Sequence, residues 1–308
     1  MLNAPTYLYD AASDLLIGQR DDQEDAVSKD FVSAPGLGFA VLADGMGGHA
    51  AGDVASRIVV NEVFRQLRDL AVDPISMEKN LKLSLLEILN NANALLEQVM
   101  TSRPELRGMG STVIVPIVTE NRLYWMSVGD SPLYLLRGSQ LFRLNENHSV
   151  AGLLDILVSE GEIDASTARE HPERHCLTSV MNGSDIPHVD CRPTPFTLEE
   201  GDIVIAASDG LQSIGENEIA RVVFQMRDFT AEQITDGLLQ AIRNHDDPDQ
   251  DNVSLCVFKV AVQASTEHAA AFPFVTPSET RQEEIKEKVA SSDQFSRRVY
   301  RRASGAKP

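Results

Sequence analysis

Two apolar runs that each end in Asp-Gly constrain this chain more than any other feature. The first is Val41-Leu42-Ala43-Asp44-Gly45-Met46-Gly47-Gly48-His49, and the second is Ile203-Val204-Ile205-Ala206-Ala207-Ser208-Asp209-Gly210. Each reads as a buried strand that delivers a carboxylate into an open turn. A carboxylate presented that way, with bare backbone beside it, suits a hard metal cation and a phosphate.

The pattern around these runs is continuous from residue 11 to about residue 260. Val54, Ile58, Val59, Val63, Phe64 and Leu67 predict a helix over 52–70, with Asp53 favourably placed in its first turn. The same spacing predicts a second helix over 81–100. Strands are expected over 39–43, 111–118, 122–128, 133–137 and 141–144. The short turns between the later ones favour antiparallel neighbours. One or two helices follow over 149–169, then an irregular stretch over 171–195 with four prolines. A strand over 202–207, helices over 216–226 and 231–244, and a strand over 253–260 complete the pattern. Strand runs with paired helices between them predict an α+β fold, a β-sandwich of two antiparallel sheets flanked by α-helices.

With 308 residues, 43% of them hydrophobic and 24% charged, the chain can bury a large core. No apolar run approaches the roughly 20 residues of a membrane span. Residues 1–10 lack the basic start and apolar block of a secretory signal. Cys176, Cys191 and Cys256 have no C-x-x-C spacing, so neither zinc nor a disulfide framework is expected, and a cytoplasmic location is. A formal net charge of −19 argues against nucleic acid as a partner. After Val262 the composition shifts: 264–277 reads as a linker, 278–289 as a short charged helix, and Arg297 to Arg302 as a solvated basic tail. The expected division is a domain over 1–262 and a linker with tail over 263–308. Within the tail, Arg301-Arg302-Ala303-Ser304 resembles the target of a basic-directed serine kinase.

Five aspartates flank apolar strands inside turn signals: Asp25 after Glu24, Asp44, Asp130 in Val128-Gly129-Asp130-Ser131, Asp209, and Asp251 before the last strand. One such residue is an ordinary turn signal. A Gly-Asp hairpin turn explains Asp130 almost as well as a ligand does. Five of them, at five strands, point to strand ends that converge on one acidic site. Crowded carboxylates repel one another unless cations neutralise them. Oxygen donors without a Cys or His cluster indicate Mg²⁺ or Mn²⁺ rather than zinc.

In order, the chain carries R-x-x-x-E-D from Arg20 to Asp25, D-G-M-G-G-H-x-x-G from Asp44 to Gly52, and G-S-T from Gly110 to Thr112. V-G-D-S from Val128 to Ser131, S-D-G-L from Ser208 to Leu211, and D-N at Asp251-Asn252 follow. This order resembles the metal-dependent serine/threonine protein phosphatases, the protein phosphatase 2C family, in their bacterial form, and it covers roughly residues 15–260. The resemblance implies a dinuclear Mn²⁺ or Mg²⁺ site at one end of the sandwich. Asp44 would bridge the two metals, the Gly45 carbonyl would bind one, and Asp209 and Asp251 would hold the other. Glu24 and Asp25 would complete the site directly or through water, and Arg20 would grip the substrate phosphate. A third, weaker metal would sit near Asp130 and share Asp209. The implied reaction is hydrolysis of phosphoserine and phosphothreonine on proteins by a metal-activated water, with no phosphoenzyme. The implied enzyme is a monomer that opposes a serine/threonine kinase.

Three departures from the family pattern stand out. Gln23 replaces an asparagine before Glu24-Asp25, Asn147-His148-Ser149 replaces D-H-S, and Leu177-Thr178-Ser179 replaces L-T-R. The last two lie in or near a flap-like region over 145–183 and imply altered substrate preference, not lost catalysis. The acid proposed in eukaryotic relatives directly follows Asp-Gly, where this chain has Met46, so His49 is expected to make local hydrogen bonds in the turn. His148 and His175 are read as shaping the substrate rim, Ser111-Thr112 as supporting a strand end, and Asn252 as orienting Asp251 or capping a turn. Two alternatives stay open: a pseudophosphatase that binds a phosphoprotein or partner, and a dinuclear hydrolase of small phosphate esters.

Overall fold

The structure, a computed structural model, describes residues 6–34, 36–47 and 51–263. Its strands are β1 (Thr6–Leu16), β2 (Asp25–Ala34), β3 (Leu37–Met46), β4 (Gly110–Ser111), β5 (Val113–Thr119), β6 (Arg122–Val128), β7 (Leu133–Arg137), β8 (Gln140–Arg143), β9 (Asp190–Cys191), β10 (Phe196–Thr197), β11 (Ile203–Ala207) and β12 (Val253–Gln263). Its helices are α1 (Ala51–Leu70), α2 (Pro74–Ser102), α3 (Val150–Ser159), α4 (Ala165–Arg169), α5 (Glu216–Gln225) and α6 (Ala231–His245). One sheet runs β1-β12-β11-β7-β8. The other runs β10-β6-β5-β3-β2, with β4 added to β3 and β9 to β6. All the pairings are antiparallel.

Strand periodicity sorts the side chains into layers. Leu42, Ile114, Trp125, Val204, Ala206 and Phe258 meet between the sheets. Phe39, Val41 and Ala43 point the other way, under α1 and α2. Ile203, Ile205 and Ala207 likewise lie under α5 and α6. Both central strands are therefore buried on both faces, which is why they read as unbroken apolar runs rather than alternations. The predicted sandwich with helices outside is the observed fold.

The differences lie where the residues give weak signals. β1 and β2 exceed the prediction. β1 is rich in Ala, Ser and Asp, poor strand formers, and is held by pairing along its whole length with β12, from Thr6 opposite Gln263 to Leu16 opposite Val253. α2 starts seven residues before the predicted Leu81, because Asp73 caps it by accepting the Ser76 N–H and Pro74 occupies its first turn. The linker, the short charged helix, the basic tail and His49 all lie outside the described residues.

One packing contact fixes where β3 ends. The Gly45 N–H donates to the Glu24 carbonyl at 3.0 Å. A Cβ on Gly45 would lie 2.0 Å from the Gly52 carbonyl oxygen and 2.6 Å from that of Glu24. A Cβ on Gly52 would lie 2.6 Å from the Glu24 carboxyl carbon. Strand β3, the start of α1 and the Glu24 turn thus meet at a point with room for hydrogen only. Gly45→Ala is expected to lower stability by about 1–3 kcal/mol or more, the cost of overpacking against backbone that cannot yield. Urea unfolding followed by circular dichroism reads that loss directly.

Candidate metal centre and its cleft

The carboxylates arrive from separate elements at the same end of the sandwich. In the β2–β3 pairing, Asp25 stands directly opposite Asp44. Like charges so placed destabilise a sheet. Asp209 follows β11 at the start of a short 3-10 turn over Asp209–Ile214, and Asp251 precedes β12. The Asp44 and Asp209 carboxyls lie close enough to act on each other, each bearing on the other's protonation. Asp44 also feels the charges of Asp25, Asp130 and Asp251. All five predicted aspartates therefore lie close enough to act on one another's charge, with Glu24 beside Asp251, and Asp130 and Asp209 line one cavity.

Burial and mutual repulsion push these acids the same way. Burial, then the charges of Asp209 and Asp251, lifts Asp25 to about 7 against the pull of its hydroxyl partners. Burial, then Asp209, lifts Asp130 to about 7, while the Arg143 guanidinium pulls it down. Burial leads the rise of Asp44, Asp209 and Glu24 as well. Among the described residues, no group of three or more acidic, histidine or cysteine side chains is arranged so that it could hold a metal ion. The acids instead share a cleft and act on one another through their charge.

The frame that holds them is built from buried polar groups. The Ser208 hydroxyl donates to Asp25 Oδ2 at 2.7 Å. The Asp44 backbone is bracketed by Thr112, whose Oγ1 accepts its N–H at 3.0 Å and whose own N–H donates to its carbonyl at 2.9 Å. The Ser111 hydroxyl adds a bond to the same carbonyl at 3.0 Å, so this pair supports the strand end as predicted. Asn252 does more than cap a turn. Its Oδ1 accepts the Glu24 N–H at 2.7 Å, and its Nδ2 donates to the carbonyls of Ile17 at 2.7 Å and Asp22 at 3.1 Å. Its own N–H donates to Asp251 Oδ1 at 2.8 Å. One buried side chain thereby locks the Glu24-Asp25 segment to the Asp251 turn.

Arg20 stands at the exposed rim, paired with Asp251 at 2.8 Å. His148 is buried and accepts the Gly129 N–H at Nδ1, 3.2 Å away; burial pushes its pKa down to about 4, so the ring is neutral. It braces the turn that carries Asp130 instead of lining the rim. His175 lines a cavity of about 640 Å³ with Asp130, Asp209 and Arg143, so it does sit at the rim. Ser208 and Arg143 are the contributors the sequence reading missed. Ser208 was legible as the hydroxyl next to Asp209. Arg143 was not, because nothing in its neighbours marks it.

In chemistry the donors suit a hard divalent cation, although the described side chains are not gathered into a metal-holding group. Every group is an oxygen, the acids repel one another, and the Gly45–Gly52 approach leaves bare backbone beside Asp44. Cations would relieve the repulsion that holds these carboxyls above their ordinary range.

Known proteins share this sequence pattern and fold. The sequence profile described as Protein phosphatase 2C matches residues 17–244. The protein phosphatase PhpP of Streptococcus pneumoniae is 30% identical over 210 residues, spanning 67% of this chain and 81% of that one. The serine/threonine phosphatase of S. agalactiae superposes with a TM-score of 0.71 at 25% identity, over 82% of this chain and 100% of the other. The catalytic domain of the serine/threonine protein phosphatase PstP, solved in complex with two manganese ions, superposes with a TM-score of 0.63 at 27% identity, over 83% of this chain and 99% of its own. Matched along most of its length in sequence and fold, the chain belongs to the protein phosphatase 2C family of metal-dependent protein phosphatases.

Proposed function

We propose that the chain hydrolyses phosphoserine and phosphothreonine on proteins, using Mn²⁺ or Mg²⁺ held by the carboxylates of the cleft. The observation that carries this reading is the burial of Asp25 directly opposite Asp44, with Asp209 in reach of both. A binding module has no need to keep such mutually repelling groups together. Asp44, the Gly45 carbonyl, Asp209 and Asp251 would hold two ions, Glu24 and Asp25 would complete the set, and Asp130 with Asp209 would hold a third. Divalent cations there supply the positive charge that phosphoryl transfer to water requires.

The chain's own residues do the rest. Arg20 offers a planar fork that can bind two phosphate oxygens. Its exposed pairing with Asp251 is weak, so a phosphate can take it over. Asn252 and Ser208 keep Asp251 and Asp25 in place. Cys191 and Cys256 are not poised to form a phosphoenzyme: both are buried, and burial pushes their thiols up to about 11 and about 12. The reading extends to a monomeric, cytoplasmic enzyme that opposes a serine/threonine kinase, with residues 263–308 outside the catalytic unit. Among the described residues, no helix is long and apolar enough to cross a membrane.

Release of phosphate from a phosphothreonine peptide, with and without Mn²⁺, tests the reading. Turnover only with metal supports it. Cleavage of an aryl phosphate alone would make the chain a small-ester hydrolase, and cleavage of neither a pseudophosphatase. Asp209→Asn is expected to cut turnover by more than the roughly 100-fold that loss of an outer partner costs, with the fold intact. Arg20→Ala is expected to act mainly on KM, raising it about tenfold.

The acids also predict a pH dependence. Carboxyls whose folded values are raised contribute stability that is fully present below their ordinary range near 4 and lost as pH rises through about 7. In the metal-free protein the drop in stability from about pH 5 to about pH 8 is therefore expected to be steeper for the wild type than for Asp44→Asn. Saturating Mn²⁺ should remove that difference. Urea midpoints at the two pH values, in chelator and in Mn²⁺, supply the comparison.

A further inference from the structure

Gln250 precedes Asp251 in a turn of acidic residues, yet only 5% of it is exposed. Both polar atoms of its side chain are spent on neighbours of the centre. Nε2 donates to the Gly210 carbonyl at 3.1 Å and to the Asp251 carbonyl at 3.0 Å, which uses both amide hydrogens. Oε1 accepts the Ser213 hydroxyl at 2.7 Å. A buried amide so fully satisfied is a rigid link.

The groups it links come from two distant parts of the chain. Gly210 and Ser213 belong to the 3-10 turn that begins at Asp209, and Ser213 lines the same cavity as Asp209. Asp251 leads into β12. Backbone contacts press the two turns together without slack. A Cβ on Gly210 would lie 2.1 Å from the Asn252 carbonyl oxygen. On Gly18, held at φ +66°, it would lie 2.4 Å from the Asp251 carbonyl oxygen and 2.5 Å from that of Gln250. The Gln250 carbonyl accepts the Gln19 N–H at 2.8 Å, one residue before Arg20. Asn252 ties Asp251 to the Glu24 segment, and Gln250 ties it to the Asp209 turn.

We propose that Gln250 is a positioning residue for the reaction, its side-chain amide setting the separation of Asp209 and Asp251, the two carboxylates assigned to one cation. This deepens the phosphatase reading and rests on it. The charge of Asp251 bears on Asp209, so the two acids repel and need a fixed backbone to stay close. A hard cation such as Mg²⁺ tolerates little error in the placement of its oxygens. Substrate grip is a separate matter. Arg20 is placed through the Gln250 backbone, which a change of side chain leaves in position. Gln250 therefore acts on cation affinity and turnover, and not on peptide affinity.

The test is Gln250→Met, which keeps the length of the side chain and removes all three bonds. Calorimetry of Mn²⁺ binding should show affinity down about tenfold or more, and kcat on a phosphothreonine peptide at saturating Mn²⁺ should fall about 10–100-fold, the range for loss of an outer partner. KM should move by less than about threefold. Ser213→Ala, which loosens the same link, should shift both quantities the same way by less, and Ser213→Thr should restore them. Ser213→Ala added to Gln250→Met should have no further effect, because the two residues act as one unit. If Gln250→Met does not fold, the Ser213 pair carries the test. Mn²⁺ affinity and kcat within about twofold of the wild type in a folded Gln250→Met, or in Ser213→Ala, would overturn the role and leave the phosphatase reading intact. A loss confined to the urea midpoint, or to KM, would overturn it too. A wild type that binds no Mn²⁺ and turns over no peptide would remove both.

Discussion

The repulsion between Asp25 and Asp44 organises this molecule. Two carboxyls placed directly opposite on adjacent strands, within reach of three more, are an arrangement that folding alone disfavours. Much of the surrounding structure serves to keep them there. Ser208 and Thr112 fix their atoms, Asn252 binds together the two segments that bring Glu24 and Asp251, and the Gly45–Gly52 contact leaves β3 no other path. The stability for this comes from elsewhere. The apolar faces of both sheets, covered by α1 and α2 on one side and α5 and α6 on the other, offset the strain at the strand ends.

That division of labour separates the two kinds of residue around the cleft. The side chains that meet there are acidic, and burial covers Asp25 among them, whereas those that hold them, Ser208, Thr112 and Asn252, are buried and neutral. His148 shows the difference. It is a histidine beside a functional turn, yet burial keeps it neutral and its Nδ1 is spent on the Gly129 backbone. It positions the Asp130 turn and the flap segment together, since its backbone also bonds Gly129 and Thr178.

The parts of the fold that were legible in the sequence are those in which one local signal decides the outcome. β3 and β11 are central strands, so burial on both faces writes them as unbroken apolar runs ending at Asp-Gly. Asp44 and Asp209 were legible for the same reason, since each punctuates a strong strand, whereas Asp25 heads β2, which was not predicted. β1 was not, because its alanines, lone serine and aspartates become a strand only through β12, more than two hundred residues away. The role of Asn252 arises from partners more than two hundred residues away, so no spacing announces it. The early start of α2 was within reach: Asp73 followed by Pro74 is a start signal, but the apolar spacing that marked the helix begins only at Leu81.

The central claim is that cations replace protons on a shared set of buried carboxyls. Calorimetry of Mn²⁺ binding in buffers of different ionisation enthalpy counts the protons released. With Asp25 and Asp130 lifted to about 7, binding near pH 6.5 should release about one proton or more, and the release should fall towards zero near pH 8.5. Binding with no proton release at either pH, or no binding of Mn²⁺ at all, would contradict the account.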